Sequence, residues 1–167
     1  MCIRDRLSPA KDAIVYDIGA GTGSVSVELA MHALYGTVYA VERTKEGCEL
    51  IAQNARKFGL DNIDIINASA ADVIEKLPAA DSVFIGGSGG ELEKIMDIVL
   101  KKNPGVHIVI TAVTLETLND SVRLMEDKKV DVIDIVQIAV TQIKKRGRYH
   151  MLAANNPVFI IEGRGNR

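Results

Sequence analysis

The residues best suited to chemistry stand close together early in the chain. Asp17, Gly19, Gly21 and Gly23 form D-I-G-A-G-T-G, between an apolar run ending at Tyr16 and a helix-like pattern opening at Ser24. Glycines at this density let the backbone approach a ligand with no Cβ in the way. A helix starting at Ser24 adds the unpaired N–H groups of its first turn. The spacing is G-x-G-x-G, with an acidic residue two positions before the first glycine. A dinucleotide site needs G-x-G-x-x-G, and G-S-V-S-V follows here instead. The other reading of the stretch is a tight strand-to-helix turn with no ligand. Glu42 closes the next apolar run, V-Y-A-V-E. A carboxylate there can accept both hydroxyls of a ribose. It can also be a solvated charge at a helix start. Beside the glycine turn, the ribose role is preferred.

Such residues need strands to carry them and helices to back them. Ala13–Ile18, Thr37–Val41, Ile63–Ile66, Ser82–Ile85 and Val106–Thr111 read as strands. Helices are expected over Ser24–Leu34, from an N-cap at Thr44 to Phe58 with a stop at Gly59, over Ala71–Lys76 before Pro78, over Glu91–Leu100 and over Leu115–Asp127. Repeated β-α units predict a parallel sheet covered on both faces, with ligands beyond the carboxyl ends of its strands. After Asp127 the rhythm changes. Val130–Ile143 and Met151–Ile161 are β-rich with no helix between them, and K-K-R-G-R (Lys144 to Arg148) joins them as an antiparallel hairpin. With no linker, repeat or low-complexity tract, residues 1–167 read as one domain. The opening M-C-I-R-D-R has neither periodicity nor a cap signal and reads as foreign to the rest of the chain, so Cys2 carries no information.

Composition narrows the classes. At 47% hydrophobic over 167 residues, the chain has material for one globular core. A net charge of -2 and a pI near 5.9 give no global basic field for nucleic acid. No apolar run approaches a membrane span, and no signal-peptide pattern opens the chain. Cys2 and Cys48 make neither a disulfide framework nor a metal site, which points to a reducing cytoplasm. His32, His107 and His150 do not combine into a metal constellation.

Asp17-x-Gly19-x-Gly21-x-Gly23 resembles motif I of the class I S-adenosylmethionine methyltransferases. That resemblance implies a Rossmann-like α/β fold: a seven-stranded, mostly parallel sheet with a terminal antiparallel hairpin. It implies S-adenosyl-L-methionine as cofactor, with its amino acid part against Asp17, Gly19, Ala20, Gly21, Thr22 and Gly23 and its ribose on Glu42. Adenine would lie at Ser69 and Ala70, where an aspartate is common at the first position, and Gly86 would complete the pocket. Phe84–Leu92, F-I-G-G-S-G-G-E-L, lacks both the N-P-P-Y-like motif of amine methylation and a cysteine nucleophile. Its Gly87, Ser88, Gly89 and Gly90 make either a broad floor for a large flat substrate or a flexible turn and helix cap.

This segment, with T-A-V-T-L-E-T (Thr111–Thr117) and N-P-V-F-I-I (Asn156–Ile161), is similar to the cobalt-precorrin-6B carbon-15 methyltransferases (decarboxylating) of cobalamin biosynthesis. It is similar too to the C-terminal half of the fused precorrin-6Y methylase. The resemblance spans about residues 7 to 163. It implies methyl transfer to carbon 15 of the tetrapyrrole, cobalt-bearing or metal-free, with loss of carbon dioxide from the ring C acetate. The chemistry needs little acid-base help, so no single catalytic base is expected. A substrate rich in carboxylates calls for cations, and Arg146, Arg148 and His150 in the hairpin are candidates, unless they form a solvated tip. Thr114 and Glu116 either line the pocket or cap a helix. The resemblance further implies a homotetramer and a possible carbon-5 methylase partner; members of the family usually carry a further N-terminal segment of about two helices, which is expected to be missing here. Two other readings stand beside it: a class I methyltransferase for another substrate, and a cofactor-binding module without activity.

Overall fold

The computed structural model describes residues 3–166. A short helix α1 (Ile3–Leu7) leads into β1 (Ile14–Ile18), α2 (Ser24–His32), β2 (Thr37–Glu42), α3 (Lys45–Lys57), β3 (Ile63–Asn67), α4 (Ala70–Val73) and β4 (Ser82–Ile85). Then come α5 (Leu92–Lys102), β5 (His107–Ala112), α6 (Leu115–Asp127), β6 (Val130–Ile138), β7 (Thr141–Arg146), β8 (Tyr149–Ala154) and β9 (Val158–Gly165). Seven strands form one sheet in the order β3-β2-β1-β4-β5-β9-β6. The five strands from β3 to β5 are mutually parallel, and β9 runs antiparallel to both of its neighbours.

The apolar strands bury both faces, as a parallel sheet between helices requires. In β1, Val15 joins Leu29, Ala30, Val38, Phe84 and Val109 on one face. Tyr16 and Ile18 join Ile95, Met96, Ile108 and Ile110 on the other. Capping follows the sequence closely. Thr44 Oγ1 accepts the Gly47 N–H at 3.1 Å, and Gly59 leaves α3 at φ +66°. The helix expected over Ala71–Lys76 is shorter, spanning Ala70–Val73. Lys102 Nζ donates to the carbonyls of Ile74 (2.7 Å), Glu75 (3.1 Å) and Leu77, which gives them partners without further helical turns.

Two regions differ from expectation. The β-rich tail is not one ribbon. β6 and β9 join the main sheet, from Val130↔Gly165 to Ile138↔Val158, while β7 and β8 pair separately around Gly147 at φ +60°. Pro157 lacks the N–H a continuing ladder would need, so pairing breaks there. The other region is the opening hexapeptide read as foreign. Within it Arg6 is buried, 2.8 Å from Glu162 Oε2 and 3.0 Å from Asp134 Oδ2, and the adjoining Leu7 enters the core. Cys2 lies outside the described residues.

Candidate active site

The carboxyl ends of β1, β2, β3 and β4 meet at one edge of the sheet. Asp17, at the end of β1, is fully buried. Ser26 Oγ, from the first turn of α2, donates to Asp17 Oδ2. Asp17 Oδ1 has no hydrogen-bond partner among the described residues. Burial pushes the Asp17 carboxyl up to about 6; Ser26 opposes the rise and the Glu42 charge adds to it. A buried carboxylate with an open oxygen is matched by a cation, and the ammonium of an amino acid is one.

The turn that follows holds Gly19, Gly21 and Gly23 at φ +71°, +57° and +75°. Its Gly19 and Ala20 N–H groups donate to the Val41 carbonyl at 3.0 and 3.2 Å, tying it to β2. A Cβ on Gly19 would lie 2.5 Å from the Gly87 carbonyl oxygen, and one on Gly23 would lie 2.9 Å from Ile51. The two glycine loops are therefore stacked, leaving a cleft bounded by backbone.

Glu42 faces that cleft. Its Oε2 accepts the Gly21 N–H at 2.9 Å, and its Oε1 accepts the Thr44 N–H and hydroxyl, each at 2.8 Å. Burial alone would raise its pKa, but these hydrogen bonds, with one from Arg43, prevail and hold the carboxyl below its usual range. Glu42 thus braces the start of α3, and its Oε2, with one hydrogen bond, keeps further acceptor capacity toward the cleft. Asn67 Nδ2 fixes the backbone beneath, donating to the Glu42 and Arg43 carbonyls at 3.0 and 2.9 Å.

A cavity of about 220 Å³ runs through this cleft, lined by Gly19, Glu42, Arg43, Thr44, Ser69, Ala70, Gly87, Ser88 and Gly89. On the far side of the second glycine loop lies another of about 240 Å³, lined by Gly86 to Gly90, Leu92, Thr111, Val113 and Thr117. A third, about 220 Å³, continues past Ser88 and Gly90 to Glu93, Glu116, Asp120 and Arg123. The Gly86–Gly90 loop is thus a shared wall, with Gly89 and Gly90 at φ +61° and +87°. A larger cavity of about 610 Å³ opens elsewhere, between α2 and α3, among Val27, Met31, His32 and Phe58. It reaches neither Asp17 nor Glu42, whereas the glycine-edge cavity is lined by Glu42 and Gly19.

Most of the expected residues gather here. Ala20, Gly21, Thr22 and Gly23 shape the first turn, and Asn54 Nδ2 anchors it by donating to the Thr22 carbonyl at 2.8 Å. Glu116 reaches the third cavity, while Thr114 caps α6 by accepting the Thr117 N–H at 3.2 Å. Arg146, Arg148 and His150 line none of the three cavities; they are exposed on the β7–β8 hairpin, where Arg148 stacks on Tyr149 at 5.1 Å. His107 is buried at the opposite edge, 3.0 Å from Glu162. The sequence did not single out Ser26, Arg43, Thr44 or Thr117 as site residues, although Thr44 reads there as the N-cap it is. Ser26 also had a signal, as a polar residue amid the apolar pattern of α2. Among the described residues no three His, Cys, Asp or Glu side chains group to hold a metal, and no helix is long and apolar enough to cross a membrane.

A seven-stranded sheet whose last strand in sequence, β9, is inserted antiparallel between β5 and β6, with an acidic residue near the end of β1, a glycine turn after it and a second carboxylate ending β2, defines a Rossmann-like methyltransferase. The chain belongs to the family described as the precorrin methyltransferase domain, matching it over residues 3–163. It is 37% identical to a probable cobalt-precorrin-6B C(15)-methyltransferase (decarboxylating) of Pyrobaculum calidifontis, over 93% of this chain and 80% of that protein. Among solved structures it is similar to the precorrin-6y C5,15-methyltransferase of Geobacter metallireducens, with TM-score 0.87 and 37% identity over 96% of this chain and 84% of the other. It is equally similar in shape, TM-score 0.87, to the precorrin 8w decarboxylase of Methanobacterium thermoautotrophicum, at 33% identity over 96% and 86% of the two chains.

Proposed function

We propose that this chain methylates carbon 15 of a precorrin, of the kind its relatives' names give, using S-adenosyl-L-methionine, and releases the ring C acetate carboxyl as carbon dioxide. The observation that carries this reading is the shared glycine wall. One cavity is lined by Glu42 and by Gly19, with Asp17 buried two residues before that glycine, and a second cavity begins on the other side of the wall. When bound, S-adenosylmethionine supplies an electrophilic methyl group. Asp17 would hold the amino acid end, Glu42 would take the ribose and Ser69 and Ala70 would flank the base, while the Gly19–Gly87 contact sets the depth of the cleft. Glycines at the wall let a flat ring come within attack distance, so positioning does most of the work. That methyl would pass to an electron-rich ring carbon, the sulfur keeping the bonding pair. The ring C acetate carboxylate would then leave as carbon dioxide, its bonding pair returning to the conjugated ring.

The exposed apolar residues of the hairpin, Ile143, Met151 and Leu152, suit burial against another copy, which supports a homotetramer. Within such an assembly Arg146, Arg148 and His150 supply cations to the carboxylate-rich substrate. The free thiol of Cys48 suits a reducing cytoplasm.

Calorimetric titration with S-adenosylhomocysteine, the product of methyl transfer, tests the cofactor site. Micromolar or tighter binding is expected, about -8 kcal/mol or better. No heat at millimolar ligand would remove the basis of the reading.

A further inference from the structure

We propose that Glu91 is the acceptor that recognises the exocyclic amine of the cofactor's adenine, an inference that rests on the proposed binding of S-adenosylmethionine. The cleft runs from Gly19 past Glu42 to Ser69 and Ala70. With the amino acid end at Asp17 and the ribose at Glu42, the base falls at the Ser69–Ala70 end. An adenine amine brings N–H donors and requires an oxygen to meet them. Ser69 is a small hydroxyl, and its single hydrogen is committed to Glu91 Oε2.

That bond brings a carboxylate from the turn before α5 to the N-terminus of α4. Glu91 is held on its backbone side as well, where its N–H donates to the Ser88 carbonyl at 3.1 Å. Its side chain is 35% exposed, so partly sheltered, and it meets the cleft through Ser69, which lines it. Oε1 accepts no hydrogen bond among the described residues. Lys94 Nζ stands 4.0 Å from it, beyond hydrogen-bond reach, and is shared with Asp72 at 3.9 Å. An oxygen with open lone pairs therefore stands beside the base end, on a side chain that Ser69 restrains from swinging into solvent. Asp72, the other nearby carboxylate, is 71% exposed and lacks such a restraint.

Recognition by an acceptor predicts discrimination between adenine and hypoxanthine, whose 6-oxo group faces Glu91 with another acceptor. The test is calorimetry with S-adenosylhomocysteine and its deaminated analogue, S-inosylhomocysteine, on the wild type and on Glu91→Gln. The amide oxygen still accepts from Ser69, while its NH₂ can turn to the 6-oxo group. The wild type should prefer the adenosyl compound by at least roughly tenfold, and Glu91→Gln should narrow that ratio by roughly tenfold. A thermal melt of each protein checks the fold. If Glu91 only ties α4 to α5, the substitution shifts the melting temperature and leaves the ratio alone. A wild-type ratio near one, or a ratio unchanged by the substitution, overturns the proposal while the cofactor reading stands. If the wild type binds neither compound, both fall together.

Discussion

Along the glycine edge the protein presents its backbone, whereas on the β7–β8 hairpin it presents side chains. Gly19 touches Gly87 so closely that a methyl group would not fit, and Asp17 beneath them has no exposed surface. On the hairpin every residue of β7 is exposed, and Lys144, Lys145 and Arg146 have no ion pair among the described residues. At the first region the proposed binding surface and the packing are the same atoms, so binding and stability are expected to change together. At the second they are separable, because surface substitutions of this kind rarely move stability by more than about 0.5 kcal/mol.

Gly19→Ala should break the first region most severely. Its Cβ would meet three backbone atoms of Gly87, which cannot rotate away, at a backbone angle that L-residues avoid. Overpacking and the left-handed conformation together should cost roughly 3 kcal/mol, read as a shift in urea midpoint. Binding of S-adenosylhomocysteine should be lost with it. Gly90→Ala is the control. It shares the positive angle but meets no atom within 4 Å, so only about 1 kcal/mol is at stake. Equal effects at the two positions would show that close approach is not what Gly19 provides.

Asp17→Asn should separate stability from function within the same region, in opposite directions. The native carboxyl titrates near 6, above its ordinary value of 3.8. Between those values the native state keeps a proton that the unfolded chain gives up. Wild-type stability therefore falls as pH rises through that window, then stays lowered above it. Asparagine does not titrate, but it buries an amide hydrogen pair in place of the open oxygen. Allowing for that cost, the variant should be more stable than wild type by about 1–2 kcal/mol at pH 8 and show no advantage at pH 4. Its affinity for S-adenosylhomocysteine should drop, since the ammonium loses its carboxylate. Urea melts at the two pH values decide it: a variant less stable at pH 8 means Asp17 is stabilised in the free protein.

The two regions also differ in how legible they were in the sequence. The order of elements, the turn after β1 and the carboxylate after β2 could be read because each depends on local chemistry: apolar runs, N-caps and glycine spacing. Contacts between distant segments could not. Nothing near Gly19 in sequence announces Gly87, and nothing near Ser69 announces Glu91. The tail misled for a related reason. Val130–Ile143 reads as a single β-rich segment, but pairing with β9 stops at Pro157, and Asn155 donates to the Val140 carbonyl at 2.9 Å where the chain changes sheets. Arg6 was missed because a lone arginine in an irregular opening gives no sign of partners at 134 and 162.

Glu42→Ala gives a smaller and cleaner effect than the changes at Gly19 and Asp17. The alanine removes acceptors from Gly21 and Thr44, groups near enough to the surface for water to replace it. About 1 kcal/mol of stability and roughly tenfold in S-adenosylhomocysteine affinity should go. Adenine alone should bind the two proteins equally, because it carries no ribose. An affinity for the full ligand that does not change would confine Glu42 to bracing α3.

The smallest expected effect on the fold belongs to the hairpin. Replacing both Arg146 and Arg148 with alanine should leave the urea midpoint within about 0.5 kcal/mol of wild type, because neither guanidinium supports buried structure. Binding of S-adenosylhomocysteine should also be unchanged, since neither residue lines the cleft. What should move is the precorrin KM, rising several-fold at low ionic strength and less at high salt, where carboxylate–guanidinium attraction is screened. That pattern would assign the hairpin to substrate capture alone. A fall in stability with no change in KM would instead make its tip structural, and the division between a backbone-built cofactor cleft and a side-chain-built substrate arm would fail.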